Sequence, residues 1–123
     1  MGVLPFGAVP VWEESGGLRL AQSAAIVNHL ARQHGLRGSS LLEEARCDEL
    51  LGAIDDVRGE LRKLQVAVPC ARVDVRRELQ ERALPRWFGD LERHLKPRLD
   101  SIGFAVGTSL TVADLGSGTS SRW

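Results

Sequence analysis

Cys47, Leu50, Ile54, Val57, Leu61, Leu64 and Val68 recur at steps that alternate between three and four residues. That is the period of one long helix laying an apolar seam lengthwise against another. Full burial of an aliphatic side chain stabilises by roughly 1.5–3 kcal/mol, so the seam commits the middle of the chain to a helix-on-helix core. Cys47 belongs to it and reads as a small buried hydrophobe rather than a reactive thiol. A second helical pattern, from Val73 to Leu95, places Val75, Leu79, Phe88, Leu91 and Leu95 on one side. Pro85 removes a hydrogen bond and clashes with the preceding turn, so a kink or break is expected near Leu84, and Pro97 is expected to close the segment. Thr111-Val112-Ala113-Asp114 has the form of a capping box that opens a further helix, with Leu110 and Leu115 as its hydrophobic staple.

Ahead of the seam the pattern changes. Val9 to Glu13 and Leu18 to Ala21 are short runs around Ser15-Gly16-Gly17, which predicts a hairpin with a glycine turn. Ser23 to His34 then predicts a helix with Ala25, Ile26, Leu30 and Ala31 on its apolar face and Gly35 at its C-terminal end. Trp12, a large indole on a short strand, implies local repacking or a bare surface.

The polar end of this ββα unit is Gln22-Ser23. A helix starting near Ala24 leaves its first amides without partners, and Ser23 before it offers a capping hydroxyl and a free backbone donor. A carboxylate held there would meet that hydroxyl, a first-turn N–H, the positive end of the helix dipole and the Gln22 amide. Most serines before helices only cap, so this reading needs support from its surroundings. Pro10 supplies some. Lacking an N–H, it belongs at a strand entrance or edge, and it pushes Val9 into extended geometry with its N–H and C=O free to pair with an extended peptide ligand.

Charge and motif content exclude several classes. Sixteen basic and sixteen acidic residues cancel, so no global field recruits nucleic acid or an acidic membrane. The densest basic stretch, Arg72, Arg76, Arg77, Arg82 and Arg86, is interleaved with Asp74, Glu78 and Glu81 and has no aromatic platform, so it reads as a solvated helix face. Cys47 and Cys70 make neither a disulfide framework nor a CxxC pair, which points to a reducing compartment. No stretch approaches the ~18 apolar residues a bilayer span needs. His29, His34 and His94 form no metal-ligand spacing, and there is no GxSxG, P-loop or GxGxxG. No metal is expected.

LPFGAVPV, LAQSAAI and LARQHGL, followed by LLEEARCDELLGAIDDV and FAVGTSLTVADL, together resemble the cytosolic glutathione transferases, closest to the sigma and related classes. The resemblance runs to Leu115. It implies an α+β, mostly helical fold: residues 1–37 as the second half of a thioredoxin-like glutathione-binding domain, and 38–123 as a shortened all-α domain. It implies glutathione as substrate or cofactor, conjugated to a small electrophile in a cytoplasmic homodimer. Val9 would pair with the cysteinyl backbone of glutathione, Pro10 would hold that strand, and Gln22 with Ser23 would grip the γ-glutamyl group. Asp55 and Asp56, which on their own read as solvent-facing charge, would face the dimer interface and the neighbouring subunit's glutathione. In some relatives such aspartates help hold a divalent cation, but a further aspartate of that set falls at Gly52 here. The chain also begins at LPFG and contains no tyrosine, so the hydroxyl that activates the thiol in the family has no counterpart and both ends are expected to be cut. No catalytic residue is assigned. The alternative is a non-catalytic glutathione-binding or protein-interaction remnant.

Overall fold

The structure is a computed structural model and describes residues 4–117. Strands β1 (Val11–Glu13) and β2 (Arg19–Ala21) form an antiparallel hairpin in which Val11 faces Ala21, Trp12 faces Leu20 and Glu13 faces Arg19. Both strands are shorter than the sequence predicts. Pairing starts only after Pro10, as a residue without an N–H requires. The turn closes with the Gly17 N–H donating to the Glu14 carbonyl at 2.9 Å, Gly17 sitting at φ 84°.

Helix α1 (Ser23–Gln33) follows at once. It ends one residue before the predicted boundary, with His34 at the cap and Gly35 at φ 67°. The Leu36 N–H donates to the Ala31 carbonyl at 2.7 Å and the Gly35 N–H to that of Arg32 at 3.3 Å. This pair of bonds satisfies two of the last carbonyls and turns the chain sharply toward the next helix. On the apolar face Ile26 and Ala31 are buried and Leu30 half-buried, whereas Ala25 is exposed.

Helix α2 (Leu41–Val66) is the seam helix. The Ser40 hydroxyl accepts from the Glu43 N–H at 3.2 Å, and the Glu43 carboxylate accepts from the Ser39 N–H and hydroxyl at 2.6 and 2.9 Å. The seam is only partly covered. Cys47, Leu50 and Val57 are buried and Ile54 and Leu64 half-buried, but Leu61 is exposed and Val68 lies beyond the helix end, in the turn that leads to a 3-10 segment (Pro69–Ala71).

Helix α3 (Arg72–Glu78) runs through a π-helical turn (Leu79–Ala83) into α4 (Leu84–Ser101). The interruption expected near Leu84 therefore takes the form of a widened turn, and Pro85, which has no N–H to donate, follows directly after it. Three expectations fail here. Pro97 does not close the segment: it lies on an exposed face inside α4, where the carbonyl it leaves unpaired can reach water, and the Ser101 hydroxyl donates back to the Pro97 carbonyl at 2.8 Å. Phe88 is exposed rather than core-facing, although Leu95, two turns further along the same face of α4, is buried: the core covers only the far end of that face. Leu110 and Leu115, flanking the short helix α5 (Val112–Ser117), are exposed and make no buried staple.

The core gathers Ala31 of α1, Cys47 and Leu50 of α2, Leu95 of α4, Ala105 and Val106 of the following loop, and Val112 and Ala113 of α5. A backbone bond from the Val112 N–H to the Leu36 carbonyl, 2.8 Å, ties α5 to the link between α1 and α2. Asp114 fulfils the capping-box expectation. Its carboxylate accepts from the Thr111 N–H at 2.9 Å and hydroxyl at 3.0 Å through one oxygen, and from the Ala105 N–H at 2.8 Å through the other. The result is an α+β, mostly helical fold in which one ββα unit leads into packed helices.

Candidate functional site

Four of the six sequence-predicted site residues meet in one cleft. Val9, Pro10, Gln22 and Ser23 line it with Pro5, Phe6, Ala8 and Ala21, around a cavity of about 50 Å³. The chain reaches this geometry through a 3-10 turn (Pro5–Gly7), an extended Ala8, and a cis Val9-Pro10 peptide bond. Val9 is exposed and outside the hairpin ladder, so its backbone groups are not consumed by strand pairing.

The helix start differs from expectation in one respect. Ser23 does not precede the helix as its cap: it is the first helical residue, and Gln22 occupies the cap position without a side-chain cap bond. Gln22 stands at φ 74°, ψ 116°, a conformation that L side chains seldom adopt and that, when held by surrounding structure, clusters at ligand clamps. The first intrahelical bond runs from the Ile26 N–H to the Gln22 carbonyl at 3.0 Å. The amides of Ser23, Ala24 and Ala25 therefore have no intrahelical acceptor, and they lie beside the exposed Gln22 and Ser23 side chains at the positive end of an eleven-residue helix. Chemically, that is a receptor for a carboxylate next to backbone groups able to pair with a peptide.

Asp55 and Asp56 are not part of that cleft. Both are exposed on α2, where Asp55 pairs with Arg58 at 3.0 Å. Asp55 does share a neighbouring cleft of about 250 Å³, between α1 and α2, with Ser23, Asn28, Asp48 and Arg58. Among the described residues no group of three or more His, Cys, Asp and Glu is placed to hold a metal ion.

Two polar clusters that sequence reasoning missed hold α1, and with it the cleft, in place. In the first, one oxygen of Glu14 accepts from Trp12 Nε1 at 3.1 Å and Gln33 Nε2 at 2.8 Å and lies 2.9 Å from His29 Nε2. The His29, Gln33 and Trp12 hydrogen bonds hold the Glu14 carboxyl at about 2, well below its usual value. This accounts for the Trp12 N–H, which finds a carboxylate, while the indole itself stays exposed. In the second, Arg37 is buried in the link between α1 and α2. Its guanidinium donates to Asn28 Oδ1 at 2.7 Å, to both Asp48 oxygens at 2.9 and 2.7 Å, and to the Glu44 carbonyl at 3.3 Å. The bond to Arg37 holds the Asp48 carboxyl below its ordinary value, while burial pushes the Cys47 thiol above its own. Neither cluster carries a sequence signal, because each joins residues whose proximity depends on how the hairpin and α2 lie against α1.

No family model matches the chain. It is 38% identical over 124 aligned residues to Glutathione S-transferase 1 of Ascaris suum, a match covering 90% of this chain and 54% of that protein. The crystal structure of the glutathione S-transferase from Ascaris lumbricoides superposes with a TM-score of 0.70 at 38% identity, covering 91% of this chain and 55% of that one. The sigma class enzyme of Fasciola hepatica superposes with a TM-score of 0.76 at 23% identity, covering 92% and 55%, and so speaks for the fold alone. The chain spans about half the length of the relatives it matches. Likeness in sequence along nearly the whole of its length, together with the fold, makes this chain a member of the glutathione S-transferase family.

Proposed function

We propose that the cleft at the start of α1 binds glutathione, and that the chain contributes this site to a transferase that conjugates glutathione to electrophilic small molecules. One observation carries the reading: Val9, Pro10, Gln22 and Ser23, dispersed over fifteen residues of sequence, line one cleft at a helix N-terminus. The γ-glutamyl carboxylate sits against the Ser23 hydroxyl and the first-turn amides, and the Gln22 side chain holds the rest of that group. The cysteinyl backbone pairs with Val9 as an added strand, and Pro10 fixes the direction of that edge. Residues 1–37 form the glutathione-binding unit and 38–123 the helical one. Asp56, together with Asp55, acts across a two-fold homodimer on the partner's ligand, and the protein works in the cytoplasm. The family reaction, attack of the glutathione thiolate on an electrophilic carbon, serves detoxification.

A second reading, binding without chemistry by these residues, draws on one feature. The sequence has no tyrosine, and the hydroxyl lining this cleft is that of Ser23, here assigned to the carboxylate end of the ligand. A thiol near neutral pH needs a donor or cation beside its sulfur to populate the thiolate.

The test is titration calorimetry with glutathione. Hydrogen bonds to a charged group are worth ~1.5–3 kcal/mol, so Ser23→Ala weakens binding roughly ten- to a hundred-fold. Equal affinities for the two proteins would remove the assignment.

A further inference from the structure

The balanced charge of the whole chain conceals a local imbalance. Residues 60–78 hold five basic side chains, Arg62, Lys63, Arg72, Arg76 and Arg77, against three acidic ones, Glu60, Asp74 and Glu78; Lys63 pairs with Glu60 at 2.6 Å, which leaves Arg62, Arg72, Arg76 and Arg77 as the cations the corner presents. The fold bends this stretch into the apex of a helical hairpin: the last turns of α2, the Pro69–Ala71 turn and α3. At the apex the apolar side chains point outward. Val66 is 81% exposed, Val68 59% and Val73 66%. These are the residues at the tip, and all five basic side chains are exposed around them. The turn is fixed by Arg72, whose Nε donates to the Ala67 carbonyl at 3.2 Å, so the valines are presented on an ordered corner.

We propose that this corner docks on the surface of an anionic lipid bilayer. Val66, Val68 and Val73 enter the headgroup region, and the basic side chains around them meet lipid phosphates and carboxylates. Two features select this occupant. The net positive charge complements an acidic leaflet, and apolar groups at the tip of a convex corner, with cations set behind them, match the depth profile of a bilayer interface rather than the walls of a protein groove. Surface attachment is the form such binding takes here, since no helix among the described residues is long and apolar enough to cross a membrane. The inference does not depend on glutathione binding.

The experiment is co-sedimentation of the purified chain with phosphatidylcholine vesicles, with and without about one-third phosphatidylserine. Partition is expected on the anionic vesicles only. Each cation near such a surface contributes about five-fold to partition, so Arg62→Gln combined with Arg76→Gln and Arg77→Gln lowers it about a hundred-fold. Val66→Ser combined with Val68→Ser and Val73→Ser weakens vesicle binding while leaving retention on heparin unchanged. All six side chains are exposed, and matching thermal melts verify that both variants fold. Equal partition on neutral and anionic vesicles would overturn the proposal. So would binding that ignores either variant, or a serine variant that binds vesicles as well as the parent, which would mark a site for soluble polyanions or an acidic protein.

Discussion

Asp48→Ala strips the facing carboxylate from a guanidinium that is itself only 3% exposed, whereas the Asp48 side chain is 55% exposed. Breaking a buried ion pair from one side costs about 3–5 kcal/mol because the remaining charge stays desolvated. Two features of this site reduce the figure. Arg37 keeps the Asn28 oxygen and the Glu44 carbonyl, and the open side of Asp48 lets water take the vacated position, so the expected loss is about 2 kcal/mol. Arg37→Met removes the charge instead of orphaning it and costs less, about 1 kcal/mol. Urea unfolding followed by far-ultraviolet circular dichroism measures both. With a slope of roughly 1.5 kcal/mol per molar, Asp48→Ala lowers the midpoint by about 1.3 M. The folded pKa of Asp48 is depressed, so the stabilisation is complete above its ordinary value of 3.8 and is lost as pH falls through the folded value. The gap between Asp48→Ala and the parent therefore closes in strong acid. A loss below about 0.5 kcal/mol at neutral pH, or Arg37→Met proving the costlier change, would refute the reasoning.

Two further outcomes follow from the other polar contacts. Glu14 titrates at about 2 against an ordinary 4.5, so the tie between the hairpin and α1 is complete above pH 4.5 and dissolves as pH falls toward 2. In a background with Trp87→Phe and Trp123→Phe, the fluorescence of Trp12 shifts in that window, and Glu14→Gln abolishes the shift. Asp114→Ala strands the N–H groups of Ala105 and Thr111, both buried. An unsatisfied buried donor costs about 1–3 kcal/mol, so a thermal melt of this variant falls by roughly 5–10 °C, and an unchanged melting temperature would contradict the bonding described.

Local rules read the sequence well where a single residue decides the backbone. Gly35 ends α1, Gly17 turns the hairpin, Pro10 delays the strand and Pro85 sits at a helix restart, each because its own φ or missing N–H leaves few options. Periodicity served less well. The seam of α2 marks the correct face, yet it cannot say how far a partner extends along it. The six-residue α5 and the loop before it cover Cys47 and Leu50, while Leu61 stays exposed. Phe88 shares its face of α4 with the buried Leu95 and is still exposed, because a period marks a face and not the stretch of it that a partner covers. Of the candidate site, the residues were legible but not their exact roles at the helix end: Ser23 opens α1 and the strained position falls to Gln22. The supports around Glu14 and Arg37 were illegible because their partners lie 9 to 19 residues away in sequence, except for Trp12 and the Glu44 carbonyl, and only the packing of the hairpin and α2 on α1 brings them together.

The most direct measurement is an amide correlation spectrum of isotopically labelled protein, recorded as glutathione is added. Binding at the start of α1 predicts that the amides of Val9, Gln22, Ser23 and Ala24 shift together along one saturable curve, and that a cysteinylglycine dipeptide, which lacks the γ-glutamyl carboxylate, leaves Ser23 and Ala24 in place. Saturable shifts confined to residues away from this cleft, or identical responses to the two ligands, would contradict the account.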